Sequence, residues 1–173
     1  MKQSTAALAT LALCGCATLG DIPIERIARV ELWQANGTPA GTAMLTAAGD
    51  KVTISIAAIG LAEGLHGLHL HMVGTCEGPA FTSAGPHLNP ASHQHGTLNP
   101  AGSHLGDLPN LTVGKQEAGA LSAQIVGTRA AIEASIFDAD GTALVIHASA
   151  DDYVTDPSGN SGTRIACGIF KRS

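Results

Sequence analysis

Hydrophobic and polar residues alternate with a period of two along most of the chain, and turn residues break the alternation at short intervals. Arg29-Val30-Glu31-Leu32-Trp33-Gln34 alternates and ends at Asn36-Gly37, a pair suited to a tight turn. Ala40 to Leu45 predicts a second strand. Lys51-Val52-Thr53-Ile54-Ser55-Ile56 predicts a third, with Val52, Ile54 and Ile56 facing inward. Gly60 to Gly64 then turns the chain into an apolar run studded with imidazoles, His66-Gly67-Leu68-His69-Leu70-His71. Strand side chains alternate between faces, so His69 and His71 share one face while Leu68, Leu70 and Met72 line the other. From Gly74 to about Lys115 no period persists, and Gly, Pro, Asn and His are dense. Strands are expected again at Glu117 to Val126, Ala131 to Phe137 and Thr142 to His147, with a hairpin-type turn at Asp140-Gly141. A second long loop, Asp151 to Gly162, precedes a last strand from Arg164 to Lys171. Short strands separated by turn signals, without a convincing amphipathic helix, predict an antiparallel all-β barrel or sandwich carrying two long functional loops.

Composition narrows the partners. The 173 residues suit one domain. Aromatic residues are only 3%, so the core must be built from Val, Ile, Leu and Ala. A net charge of -5 and the lack of any basic run exclude nucleic acid as a partner. The short positive start Met1-Lys2-Gln3 and the apolar run from Ala6 to Leu13, too short to span a bilayer, make residues 1–15 an expected export signal. Leu13-Cys14-Gly15-Cys16 resembles the bacterial lipobox with Cys16 as the lipidated residue; Cys14 is preceded by Leu13, too large for that position. Residues 16–25 then form a lipid-attached tether and 26–173 the domain. The expected location is exported, in the periplasm or cell envelope, with membrane contact only through the lipid anchor. With Cys14 removed and Cys16 acylated, Cys76 and Cys167 remain as one pair in an oxidising compartment and are expected to be bonded. Closing a loop of about 90 residues stabilises a fold by roughly 4 to 5 kcal/mol in the chain-entropy picture.

Seven of the eight histidines fall between His66 and Asp107, far more than core packing explains. Each imidazole leaves polar nitrogens that need partners, and a metal ion satisfies several at once. Four ordered segments carry a resemblance to a known family. They are His66-Gly67-Leu68-His69-Leu70-His71 with Gly74 and Cys76; Gly85-Pro86-His87-Leu88-Asn89-Pro90 with His95-Gly96 and His104-Leu105-Gly106-Asp107-Leu108; Val145-Ile146-His147 with Ala150-Asp151-Asp152; and Gly162-Thr163-Arg164-Ile165-Ala166-Cys167-Gly168. Together they resemble copper-zinc superoxide dismutase of the exported bacterial kind, over nearly all of the expected domain.

The resemblance implies an eight-stranded antiparallel Greek-key β-barrel, an immunoglobulin-like sandwich in its topology. It implies cofactors copper and zinc, with copper on His69, His71, His87 and His147, and zinc on His87, His95, His104 and Asp107. His87 is shared between the two ions and exchanges a proton during turnover. Asp151 corresponds to the family's carboxylate that links a copper ligand to a zinc ligand, a part for which Asp152 and Asp156, read as solvated loop aspartates, are less suited. Arg164 corresponds to the arginine that guides the superoxide anion. Superoxide is then the substrate, disproportionated to oxygen and hydrogen peroxide.

His66 lies out of step with His69 and His71 and is read as a hydrogen-bonded structural residue, and His93 as an exposed loop residue. The family's loop lysines have no counterpart here, since the second loop offers Asp151, Asp152 and Asp156 and no lysine. The competing reading is an exported copper- or zinc-binding or copper-delivery protein without turnover. A zinc hydrolase would need a carboxylate spaced as a general base beside a three-ligand site, which is lacking. Monomer and homodimer both stay open.

Overall fold

Eight antiparallel strands close into a barrel in the computed structural model, which describes residues Ile22–Ser173. The expected export signal and the lipid-bearing Cys16 lie outside the described residues. In chain order the strands are β1 (Ile24–Gln34), β2 (Pro39–Ala48), β3 (Lys51–Ile59), β4 (Gly64–His71), β5 (Asp107–Val113), β6 (Ala118–Ile125), β7 (Ala143–His147) and β8 (Arg164–Ile169). A two-residue β9 (Lys171–Arg172) pairs with β1. The order around the wall is β1-β2-β3-β6-β5-β4-β7-β8, and β8 pairs back onto β1 to close it. The β3–β4 and β6–β7 connections each pass over two strands, which makes the topology a Greek key.

The period-two pattern is what builds the wall. Along β3, Val52, Ile54, Ile56 and Ala58 are buried while Lys51, Ser55, Ala57 and Ile59 are exposed. Each fully buried Ile or Leu contributes about 1.5–3 kcal/mol. Small Ala40, Ala43 and Ala47 on β2 let the opposite walls approach, and Phe170 joins the aliphatic side chains of the core. On β4, Leu68 and Leu70 enter this core, so His69 and His71 are turned to the outer face. Both are nonetheless fully buried, because loops cover that face. Met72 does not continue the apolar row; it lies beyond the strand end and is exposed.

Two elements differ from expectation. Ala131 to Phe137 is not a strand, because Arg129–Ile136 forms a helix, α1. Thr128 caps it by accepting from Ala131 N, Arg129 pairs with Glu133 one turn on at 2.6 Å, and Ile132 and Ile136 pack one above the other into the core. A strand over the same residues would place Ile132, Ala134 and Ile136 together on one face, so the apolar spacing alone fits both periods; in the helix Ala134 is exposed instead. The eighth strand is instead β5, hidden by Pro109, which is tolerated because it sits in the irregularity of the β4–β5 register between Leu108 and Leu111, where no ladder hydrogen bond is needed from it. β1 also begins earlier than Arg29, with Ile24 and Glu25 paired to Ala48 and Ala47 inside the stretch expected as tether.

Two long segments, 72–106 and 148–163, leave the wall beside β4 and β7. Cys76 and Cys167 are bonded, with Cα atoms 5.7 Å apart, which ties the first segment to β8. The expected pairing therefore holds.

Candidate metal centre

β4 and β7 lie side by side, with His69 opposite Val145 and His71 opposite Ala143, which brings His147 near both histidines of β4. The first long segment folds back over this face through Met72 N to Pro86 O at 3.0 Å and Leu88 N to Leu70 O at 2.8 Å. His87 lies between those two anchors, and its ring stacks on that of His69 with centroids 3.9 Å apart. Ligand atoms of His69, His71, His87 and His147 fall within 4.8 Å of one another. Four donors about 2 Å from a shared centre span about 4 Å, so the set fits a single ion.

The hydrogen bonds decide which nitrogen each ring presents. His71 Nδ1 donates to Gly85 O at 2.8 Å and His147 Nδ1 to Gly162 O at 3.1 Å. His69 Nε2 donates to Asp151 Oδ2 at 2.7 Å. A neutral imidazole has one N–H, so His71 Nε2, His147 Nε2 and His69 Nδ1 carry lone pairs. Those three atoms and His87 Nε2 are buried with no protein partner. Burial of four such acceptors together is unfavourable unless a cation meets them. Burial holds His71 down to about 2 and His147 down to about 3, so both rings stay neutral and available as donors.

The second cluster faces the other nitrogen of His87. Asp107 Oδ1 is 3.0 Å from His87 Nδ1, 3.1 Å from His95 Nδ1 and 3.1 Å from His104 Nδ1, and His104 Nδ1 is 3.4 Å from His87 Nδ1. A tetrahedral ion with bonds of about 2.0 Å spaces its donors by about 3.3 Å, so these separations fit its edges. His69 also comes within 4.8 Å of His87, His95 and Asp107. It belongs to the first cluster by donor geometry, since its Nε2 is committed to Asp151 while His104 sits at edge distance from two members. Burial opposes a charge on His95, yet hydrogen bonds and the charges of Asp107 and Asp151 raise it to about 9. Burial likewise works against ionised Asp107, but His87, His95 and Gly96 N hold its carboxyl well below the usual range. A proton on His95 thus stands where a metal cation would.

Asp151 joins the clusters, with Oδ2 on His69 Nε2 at 2.7 Å and Oδ1 on His95 Nε2 at 3.0 Å. Gly159 has to be glycine here: φ is +62°, and a Cβ would fall 1.8 Å from Asp151 Oδ1. Arg164, at the start of β8 and half-buried, donates to Phe81 O and Gly85 O, both at 2.7 Å. Gly85 O is also the acceptor for His71, so one carbonyl orients the guanidinium and a histidine of the first cluster.

The remaining histidines stand apart. His66 is buried with its ring nitrogens 2.7 Å from His147 O and 2.9 Å from Ala62 O, as a structural residue should be. His93 is exposed. Sequence reasoning missed several supports. Asp156 is not merely solvated; it accepts from His95 N at 2.7 Å. Asp152 accepts from Val154 N, Thr155 N, Thr155 Oγ1 and Asn160 Nδ2, which fixes the loop turn. Ser161 is fully buried with Oγ 3.1 Å from His147 Nδ1. The spacing Asp152 to Thr155 is a local turn signal that could have exposed the first of these; the bond from Asp156 crosses between loops and leaves no trace in the sequence.

Residues 39–170 match the family model for copper/zinc superoxide dismutase. The chain belongs to the copper/zinc superoxide dismutase family. Superoxide dismutase (Cu-Zn) 2 of Aquifex aeolicus is 39% identical over 149 residues, covering 83% of this chain and 86% of that protein. Superoxide dismutase (Cu-Zn) 1 of the same organism is 36% identical over 165 residues, covering 92% and 96%. The crystal structure of a superoxide dismutase-like protein from Bacillus subtilis superposes with a TM-score of 0.77 at 38% identity, covering 83% of this chain and 98% of that one. The family's metals suit the donor sets. Four imidazoles fit copper in both oxidation states, and three imidazoles with a carboxylate fit tetrahedral zinc.

Proposed function

We propose that the first cluster holds copper through His69, His71, His87 and His147, and the second holds zinc through His87, His95, His104 and Asp107. The protein is a superoxide dismutase: two superoxide anions and two protons give oxygen and hydrogen peroxide. The observation that carries the assignment is the set of four buried, partnerless ring nitrogens converging on one point, with the other nitrogen of His87 facing the second set. Bound copper supplies the electron exchange by alternating between Cu(II) and Cu(I), while zinc supplies a fixed charge.

The chain does the rest. Asp151 holds His69 and His95 in the tautomers that leave Nδ1 free. His87 Nε2, shielded from water, is the atom that takes a proton and passes it on. Arg164 offers its half-buried cation to the incoming anion, and burial lowers its ordinary pKa without neutralising it. We also read residues 1–15 as an export signal and Cys16 as a lipid anchor; the Cys76–Cys167 disulfide supports an oxidising compartment.

Metal content per chain and superoxide turnover, measured before and after copper removal, test the function. One copper and one zinc, with turnover that disappears with copper and returns on its addition, are expected. Copper bound without turnover would favour a metal-delivery protein. For the anchor, a Cys16→Ala chain should move from the membrane fraction to the soluble one.

A further inference from the structure

Asp151 spans the two clusters, so its carboxylate is only as well placed as the backbone beneath it. Asn110, three residues after Asp107 on β5, grips that backbone from both sides. Its Oδ1 accepts from Asp151 N at 2.8 Å, and its Nδ2 donates to Asp151 O at 2.9 Å. Tyr153 closes the grip from the other direction. Its N–H donates to Asp151 Oδ1 at 2.6 Å, its hydroxyl accepts from Asn110 N at 2.7 Å, and its carbonyl accepts from Leu98 N at 3.0 Å. Tyr153 does this with φ at 64°, a conformation non-glycine residues seldom adopt. Opposite it, Gly96 leaves room that no side chain could, because a Cβ there would lie 2.0 Å from Tyr153 O. One strand thus supplies Asp107 to the second cluster and Asn110 to the carboxylate that joins both clusters.

We propose that Asn110 and Tyr153 are positioning residues that hold Asp151 across His69 and His95 and thereby set how firmly zinc is retained. The proposal rests on the reading of the two clusters as copper and zinc sites. Without the grip, Asp151 can turn away, and His95 Nε2–H loses its acceptor. Its proton is then free to occupy Nδ1, the atom zinc needs.

The test compares metal-loaded wild type, Asn110→Ala, Tyr153→Phe and Thr112→Ala, an exposed position on the same strand. Zinc release to a chromogenic chelator is timed, the Cu(II) electron paramagnetic resonance spectrum is recorded, and melting is followed with and without metal. Release should be about tenfold faster or more in Asn110→Ala, about threefold faster in Tyr153→Phe and unchanged in Thr112→Ala, in keeping with the cost of losing an outer partner of a metal ligand. The copper spectrum should change in Asn110→Ala, since His69 shares the displaced carboxylate. Wild-type release from both variants, or equal acceleration in Thr112→Ala, overturns the proposal. So does an equal loss of melting temperature with and without metal, which would mark a general structural role. Should Asn110→Ala fail to fold, Tyr153→Phe, which removes a single oxygen, decides alone. A wild-type protein that takes up no zinc overturns the cluster reading and this proposal together, whereas zinc-bearing variants with wild-type release overturn this proposal only.

Discussion

The barrel wall and the two long segments, 72–106 and 148–163, are held together by different forces. In the wall, backbone ladders and aliphatic side chains such as Leu45, Ile54 and Ile146 exclude water, and burial alternates along strands such as β3, while β4 and β7 are covered on both faces. In the segments, regular structure is nearly absent, and side chains tie the backbone down one bond at a time. Thr75 donates to Ser83 O, Asn89 accepts from His93 N, and Asp152 gathers Thr155 and Asn160. The clusters sit on the seam. His69, His71 and His147 come from the wall, His87, His95, His104 and Asp151 from the segments, and Asp107 from the first residue of β5. Stability is thus concentrated in one region and chemistry in the contact between the two, which makes them separable by mutation.

Removing the covalent tie between them should have the greatest effect. With 91 residues separating Cys76 and Cys167, replacing both by Ser should lower stability by about 4 to 5 kcal/mol in chemical denaturation. It should also loosen copper, because the segment carrying His87 loses its link to β8. A core truncation addresses the wall alone. Ile54→Ala, at a fully buried site, should cost about 2–4 kcal/mol while turnover per bound copper stays at the wild-type value. If turnover per copper fell in parallel, wall and segments would not be independent.

Arg164→Glu probes the opposite case, in which chemistry changes and the fold does not. Turnover should fall about 10- to 100-fold with both metals still bound, as expected when an attracting charge becomes a repelling one. Equal activity would remove Arg164 from the anion path.

Acid and base each weaken the seam, through different histidines. In the metal-free protein, burial keeps His87 near about 4, His147 near about 3 and His71 near about 2. The unfolded chain binds those protons more readily, so stability should fall as pH drops below about 6.5. His95 behaves the other way. Burial resists its charge, but Asp107 and Asp151 raise it to about 9, so its contribution is present below about 6.5 and is lost as pH rises through 9. Melting temperature of the metal-free protein should therefore peak near pH ~6.5. Zinc loading should flatten the alkaline side, because the metal replaces the proton.

The smallest effect is expected from salt. Asp152, held down to about 2 by Thr155, Val154 and Asn160, remains an anion in a segment without lysine, leaving Arg164 with little support at long range. Turnover should fall less than about threefold between ~0.01 and ~0.15 M salt; a steeper fall would reveal attraction from elsewhere on the surface.

Most of the barrel was legible because burial on one face writes a period of two into the sequence, as in β3. Where burial follows another geometry the same reading fails. Ile132 and Ile136 suited a strand as well as a helix, and the distinction lay in the Thr128 cap and the Arg129–Glu133 pair. β5 escaped notice because Pro109 and Asn110 interrupt its apolar row.

The candidate site divides along the same line. Histidine spacing and the motif segments identified the residues that converge, since donor chemistry is a property of residue type, and cysteine arithmetic identified Cys76 and Cys167. Only the folded chain decided which nitrogen each ring turns inward. Gly85 O, Gly162 O and Asp151 do this through bonds spanning 14, 15 and 82 positions. The supports of Asp151 were likewise invisible: Asn110 and Tyr153 are unremarkable in the chain and meet only across 43 positions. Residue type sets what a side chain can bind, and tertiary contact sets its tautomer and aim; a metal site needs both.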